Sequence, residues 1–484
     1  MTQPHSRSLF ALLLFAAPAS FLLLLPACQR PPASDQGEVS AIEQAQHARS
    51  SCAPPPRVFR IGVLVDATSP ARASFEAAAN LAAAHINDGL AEAHSGLRVE
   101  VVLAEYQPNQ AVTSAIALVN GSASQPGVEA LVSDISGNTA AVNALNYESP
   151  SRIAHPVPVT CYQCSSAFFN DPAQTNPGFA DRDNWLFRTF YNATFESAVQ
   201  VQLVLGREGS GDFNGDGYLK IVVYYDSFHL SAATTMPAIL DGLHAGPHSV
   251  ELIAKHLPSD ATSRAAELAA LFDTAPDGHA PDAVYLAFLP GNAPEALADY
   301  TGAAVSPKPP AQANNGIRRD FLLPSLLPVG GEGLEGSSVR LVAQSAAGRR
   351  FLRDFRRASG GQTPELTGSF LYDAVAAHAL AALEAAEQEG TGGITPAGLR
   401  AGLGLISSAD GRRIEAGPEG FARAARDIAR GRAIDYDGAS SPLDLTAAGE
   451  MYPELVHWQI QGGRFVEREA YRCDPAHPLC AVAR

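Results

Sequence analysis

Two hydrophobic rhythms alternate along this chain: short apolar runs of period two, and alanine-rich stretches with apolar positions three and four apart. Phe59–Asp88 shows both. Phe59–Val65, with Ile61, Val63 and Val65 on one face, suits a buried strand of a parallel sheet. A polar turn follows (Asp66–Pro70), and Phe75, Ala78, Ala79, Leu81, Ala82 and Ile86 then recur at helical spacing. Asp88-Gly89 is expected to stop that helix, because glycine enters the left-handed conformation without steric cost. Strand, turn and helix make the first βα unit of a doubly wound sheet. Ligands of such sheets sit beyond the strand C-termini, so the Asp66–Ser69 turn is expected to face one.

The alternation continues. Strands are predicted at Leu97–Ala104, Val128–Val132 and Arg152–Thr160, with helices at Gln110–Asn120 and from Ser136 to about Asn146. An aperiodic stretch, Ser165–Asn184, interrupts it. Helices at Thr194–Leu205, Ser231–Leu243, Thr262–Phe272 and Pro294–Tyr300 then alternate with strands at Lys220–Tyr225, Val250–Lys255 and Ala283–Phe288. Ala303–Gly316 reads as a loop, and Phe321–Leu326 and Val339–Val342 as short strands. Helical patterns at Ala346–Ala358, Leu366–Gln388, Pro396–Leu405 and Glu419–Gly431 precede a β-like end at Leu455–Ile460 and Arg464–Val466. The expected class is α/β: two Rossmann-like lobes with mainly parallel sheets, facing each other across a cleft.

Charge narrows the partners. A formal net charge of −16 argues against nucleic-acid binding, which needs basic surface. Residues 1–27 have the apolar run of a targeting segment, and small residues before Cys28 resemble a bacterial lipoprotein processing site, with Cys28 lipidated. By the same resemblance, Gln29 after it suggests the outer membrane. Residues 28–56, rich in Pro and Ser, read as a tether. Export makes disulfides plausible for Cys52, Cys161, Cys164, Cys473 and Cys480, with connectivity left open. Cys473 and Cys480 could staple the tail; Cys161 and Cys164 could close a tight loop, stay as thiols, or do redox work.

Catalytic signatures are scarce, so no enzymatic activity and no cofactor are expected. His378, inside an apolar helix pattern, reads as a packed residue, whereas His229 beyond a strand end is a candidate ligand contact. Asp212, Asn214 and Asp216 match the first half of a calcium loop, but Val223 stands where the closing glutamate would be. A polar turn feeding the next strand is the favoured reading.

Several segments, each weak singly, stand in a telling order. They are Ile61-Gly-Val-Leu, Ser69-Pro70, Gly127-Val-Glu-Ala-Leu-Val, Ser136-Gly-Asn-Thr139, Phe187-Arg-Thr189, Val223-Tyr-Tyr-Asp-Ser, Pro281-Asp-Ala-Val-Tyr-Leu, Tyr372-Asp-Ala-Val and Gly438-Ala-Ser-Ser. Together they resemble the Leu/Ile/Val-binding family, the substrate-binding proteins of branched-chain amino-acid-type ABC transporters, with a type I periplasmic-binding-protein fold. The resemblance implies lobe 1 at 57–187 and 341–437, lobe 2 at 188–340 and 438–470, a three-crossover hinge, and a cysteine-containing tail at 471–484. It implies a small-molecule ligand such as an amino acid, an ABC permease as partner, and membrane attachment through the lipid. Carried over, Ser136, Asn138 and Thr139 match the first gripping loop, and Tyr162, Gln163 and Ser165 the second; Ser69 joins them from the first turn. Phe228 and Leu289 fall at the closing lobe's aromatic positions, and Ser325 near the family's ammonium-binding acid. A receptor or sensor module of the same fold is the alternative function, and an exported thiol-redox protein using Cys161 and Cys164 a further one.

Overall fold

The computed structural model describes residues 56–484 except 170–180, 182, 208–210, 227–235, 237–248, 257–259, 273–277, 391–392, 475–479 and 484. Cys28, Gln29, Cys52, Phe228, His229 and most of the helix expected at Ser231–Leu243 therefore lie outside the described residues.

Five parallel strands form the first sheet: β1 (Arg57–Asp66), β2 (Leu97–Tyr106), β3 (Ala130–Ser133), β4 (Val159–Cys161) and β5 (Leu186–Arg188), in the order β2-β1-β3-β4-β5. The β1 residues Phe59, Ile61, Val63, Leu64 and Val65 are fully buried, because helices cover both faces of a parallel sheet. Helices α1 (Arg72–Glu92), α2 (Ala111–Asn120) and α3 (Ser136–Ala144) follow β1, β2 and β3. The β4 strand is shorter than expected. Pro156 and Pro158 lack the N–H that a sheet interior needs, and pairing begins only at Val159.

After β5 the chain crosses to α4 (Ala193–Leu205) and builds the second sheet. Its strands are β6 (Tyr218–Tyr225), β7 (Ser249–His256), β8 (Ala283–Ala287), β9 (Ala311–Ala313) and β10 (Glu335–Val339), with α5 (Ala261–Phe272) and α6 (Ala293–Gly302) between them. These strands pair in parallel. β9 lies within the stretch expected to be a loop. Its Gln312 and Ala313 are buried between β8 and β10, yet Ala-Gln-Ala carries no β-branched residue to signal a strand. Phe321–Leu326 is not a strand: residues 320–329 make helical turns, with Pro324 and Pro328 in first-turn positions, where a missing N–H costs nothing. Leu322 and Leu326 face the core, so the apolar run there was one side of a helix.

The chain then returns to the first lobe with α7 (Ala346–Ala358), α8 (Gly368–Glu389), α9 (Pro396–Leu403), β11 (Arg412–Glu415), α10 (Pro418–Ile428) and β12 (Ile434–Asp437). The small β11–β12 sheet is parallel, and α10 packs on α1. Gly89 serves that contact rather than stopping a helix. It lies inside α1, and a Cβ there would stand 2.5 Å from the Pro418 carbonyl and 2.7 Å from Phe421 Cβ. The chain crosses a third time to β13 (Leu455–Gln461), β14 (Arg464–Arg472) and β15 (Ala481–Val482), which add antiparallel strands beside β10. Residues beyond 470 thus continue the second sheet. Cys473 and Cys480 are disulfide-bonded, and Gln202 of α4 exchanges two hydrogen bonds with the Cys480 backbone (2.9 and 3.0 Å).

Buried polar residues hold the crossovers. Asp373 on α8 accepts from the Ala439 and Ser440 N–H groups (2.8 and 2.7 Å) and from the Ser440 and Tyr436 hydroxyls (2.5 and 3.0 Å). Tyr372-Asp-Ala-Val and Gly438-Ala-Ser-Ser, far apart in the chain, meet here. Burial raises the Asp373 carboxyl to about 6 even though all four donors favour its anion. At the first crossover, Arg188 pairs with Glu450, and its backbone N–H donates to Gly449 O (2.8 Å).

Candidate functional site

The C-terminal ends of β1, β3 and β4 lie along one edge of the first sheet, where ligands of parallel sheets sit. The β1 turn is self-contained: Asp66 Oδ1 accepts from the Thr68 N–H and hydroxyl (both 2.8 Å), and Ser69 Oγ accepts from the Ala71 N–H (3.2 Å). Ser69 is half-buried.

The β3 loop carries the strongest local field. Helix α3 starts at Ser136, and its first intrahelical bond runs from the Thr139 N–H to Ile135 O (2.9 Å). The N–H groups of Ser136, Gly137 and Asn138 thus precede the helical ladder, and with the helix dipole they favour an anion. No atom lies within 4 Å of where a Gly137 Cβ would stand, so this end of the helix faces open space.

The side chains nearby are more committed than the chain pattern implied. Ser136 Oγ accepts from the Ser166 N–H (3.2 Å). Asn138 Nδ2 donates to the Tyr106 hydroxyl (2.7 Å) and to Asp134 Oδ1 (3.2 Å). Thr139 is fully buried, with its hydroxyl 3.2 Å from Cys161 Sγ and 3.1 Å from Cys164 Sγ. Those two cysteines are joined in a disulfide. Thr139 therefore braces the disulfide under the helix start, and neither its hydroxyl nor its N–H is left for a ligand.

Asp134 was not singled out from the chain, yet it organises the loop. It is buried, and it accepts from the Tyr106 hydroxyl, the Ile135 N–H (2.7 Å) and Asn138. Burial holds its carboxyl above the usual range, against the pull of those donors. The signal available was its place immediately after a strand end.

From the second gripping loop, Tyr162 is buried with its ring edge-on to Phe75 of α1 (centroids 5.4 Å apart). Gln163 and Ser165 are half-buried, and Ser165 O accepts from the Ala193 N–H (2.6 Å) at the first crossover. Arg188 donates to Ser166 O (2.7 Å), tying this loop to the hinge.

On the second lobe, Leu289 is half-buried just past β8, and its N–H donates to Asp226 Oδ2 (2.6 Å). Ser325 stands exposed on the short helix Leu323–Leu326 and makes no hydrogen bond among the described residues to the other candidates. The charged group that reaches across is Arg319, beyond β9. Its Nη1 donates to Glu365 of the first lobe (3.1 Å), and both side chains are about nine-tenths buried (8% and 10% exposed). Glu365 is fixed to α1 by its N–H bond to Ser74 Oγ (2.8 Å), one residue from the Phe75 that packs on Tyr162. Burial is the main cause raising the Tyr162 and Tyr191 hydroxyls, and the Arg319 charge draws both back down. The Arg318-Arg319 pair, basic in an acidic chain, was the sequence signal for this residue.

The Asp212–Asp216 turn sits apart from the crevice chemistry. Asp212 Oδ1 and Oδ2 accept from Gly215, Asp216 and Gly217 N–H groups, Asn214 Oδ1 accepts from the Asp216 N–H, and Asp216 Oδ2 lies 3.0 Å from His279 Nδ1. Most of these bonds serve the turn's own backbone, and Asp216 ties it to His279.

No family model and no curated protein matches this chain by sequence. Solved structures do match in shape. A leucine-binding protein of Thermotoga maritima superposes with TM-score 0.58 at 14% identity, over 86% of this chain and 99% of that one. A branched-chain amino-acid transporter substrate-binding protein of Streptococcus pneumoniae, in complex with isoleucine, gives 0.57 at 16%, over 85% and 100%. A solute-binding protein of an ABC transporter from R. palustris, in complex with benzoate, gives 0.55 at 16%, over 85% and 95%. The chain has the type I periplasmic-binding-protein fold shared by these branched-chain amino-acid-type ABC transporter binding proteins.

Proposed function

We propose that the protein is an extracytoplasmic solute-binding protein, anchored at the cell envelope through a lipid on Cys28, that closes two lobes over a small molecule and presents it to an ABC permease. The observation that carries this reading is the start of α3. Three N–H groups lead the helix beside an unobstructed Gly137, and a buried arginine of the other lobe pairs with Glu365 of the first. Such a helix start binds an anion without catalytic machinery. The similar proteins carry leucine, isoleucine or benzoate, so amino acids and simple carboxylates are the ligand classes to try first.

The test is thermal unfolding of the full chain against a panel of amino acids, amides and small carboxylates. A ligand at a hundred times its Kd stabilises by about 2.7 kcal/mol. The Gly137→Val variant should melt near wild type, since its Cβ has room, but lose the ligand-dependent shift. Absence of any shift across the panel, with cooperatively folding protein, removes the solute-binding reading.

A further inference from the structure

We propose that Arg319 is the second lobe's partner for the ligand's carboxylate, and that the site selects small apolar monocarboxylates lacking an α-ammonium group over the corresponding amino acids. This rests on the solute-binding reading above and narrows its ligand class.

An α-amino acid brings one anion and one cation, so its site needs an acidic group placed for the ammonium. The acids at this crevice already have donors. Asp66 takes Thr68; Asp134 takes Tyr106, Ile135 and Asn138. Glu196 Oε2 accepts from the Tyr191 hydroxyl (2.7 Å) and Oε1 from the Asn315 N–H (2.7 Å). Asp226 accepts from the Leu289 N–H and Asn292 Nδ2, and Glu365 from Arg319. Ser325, where the family's ammonium-binding acid would fall, is an exposed hydroxyl.

The donor side is different. Arg319 is 7% exposed, and its Nε is buried with no hydrogen-bond partner among the described residues. A buried guanidinium N–H is rarely left unmet, and the Nε edge is one side of the fork that grips a carboxylate in two parallel bonds. Glu365 takes only Nη1, which steadies the guanidinium while leaving that edge. The Glu365–Ser74 bond ties the pair to α1, whose Phe75 packs on Tyr162 of the β4 loop, and Ser166 of that loop bonds Ser136 Oγ at the start of α3 (3.2 Å). Each lobe thus offers its own donor set for negative charge, the α3 start on one and the Arg319 Nε edge on the other. Half-buried Leu289 offers apolar surface for the rest of the molecule.

The experiment is calorimetric titration of the full chain with matched pairs: 4-methylpentanoate against leucine, 3-phenylpropanoate against phenylalanine, and 4-methylpentanamide as the neutral control. At least one deaminated acid should bind more tightly than its amino acid by about ten-fold or more, about 1.4 kcal/mol, and the amide should not bind. Arg319→Gln should weaken the acid by roughly ten- to a hundred-fold. Because that change strands Glu365, the Arg319→Gln/Glu365→Gln double variant is measured beside it and should show the same loss. Tighter binding of leucine or phenylalanine than of its acid, or wild-type affinity in the double variant, overturns the proposal while leaving the solute-binding reading standing. No binding by any compound of this set or of the wider panel removes both.

Discussion

Thr139 shows how a residue proposed for a site can act through packing instead of by touching a ligand. Its hydroxyl lies against both sulfurs of the Cys161–Cys164 disulfide, so the loop after β4 and the first turn of α3 hold each other in place. The crosslink closes only a few residues, and its entropic worth is correspondingly about 2 kcal/mol. Replacing both cysteines by serine should lower unfolding stability by about that amount, measured as a shift in denaturant midpoint. Native protein should leave both residues unlabelled by a thiol reagent on mass-spectrometric mapping. Prompt labelling would instead return weight to redox work.

At the level of elements, His378 shows what a long helix does at the centre of a lobe. Most of α8 is buried, and His378 Nε2 bonds Leu131 O of β3 (3.0 Å) while its Nδ1 is buried without a partner among the described residues. This is the neutral imidazole of a packed residue, as the apolar helix pattern around it implied. Burial draws its pKa from 6.5 down to about 4. Between those values the unfolded chain binds the extra proton, so this contribution is complete above 6.5 and is lost as pH falls toward 4. The loss is on the order of 3 kcal/mol. Asp373 and Glu384 on the same helix, raised by burial to about 6 and about 7, act in the opposite sense. The quantity to follow is therefore the difference in stability between wild type and His378→Gln, which should grow in favour of wild type from pH 4 to 6.5; a flat difference would show that His378 keeps its proton in the fold. Elements of this kind were legible because their periodicity is strong. β9 and residues 320–329 were not, because three residues without β-branching and a proline-punctuated helix owe their conformations to neighbouring strands and core.

For the molecule as a whole, sheet order and crossovers follow from the βα alternation, while contacts made far apart in sequence do not. Ser136 and its loop could be placed from a strand end and a helix start; Arg319–Glu365 and Arg188–Glu450 could not, since no local pattern ties such partners together. The second pair has the larger mechanical role. Arg188 ends β5 where the chain first leaves the first lobe, and Glu450 lies on the third crossing. Their side chains are 2% and 9% exposed, and Arg188 also donates to Ser166 O beside the disulfide loop. Burial draws the Arg188 pKa down to about 9, a sign of how much desolvation the fold imposes on this cation. Arg188→Met should therefore cost about 3–5 kcal/mol, because it breaks a buried ion pair by removing one of its charges. The double variant Arg188→Met/Glu450→Leu, which removes both charges, should recover most of that loss in denaturant unfolding. Ligand titration of the double variant then separates two roles for the pair. Retained stability with weakened affinity would assign it to setting the lobe geometry that closes the crevice, whereas retained stability with unchanged affinity would confine it to holding the crossovers together.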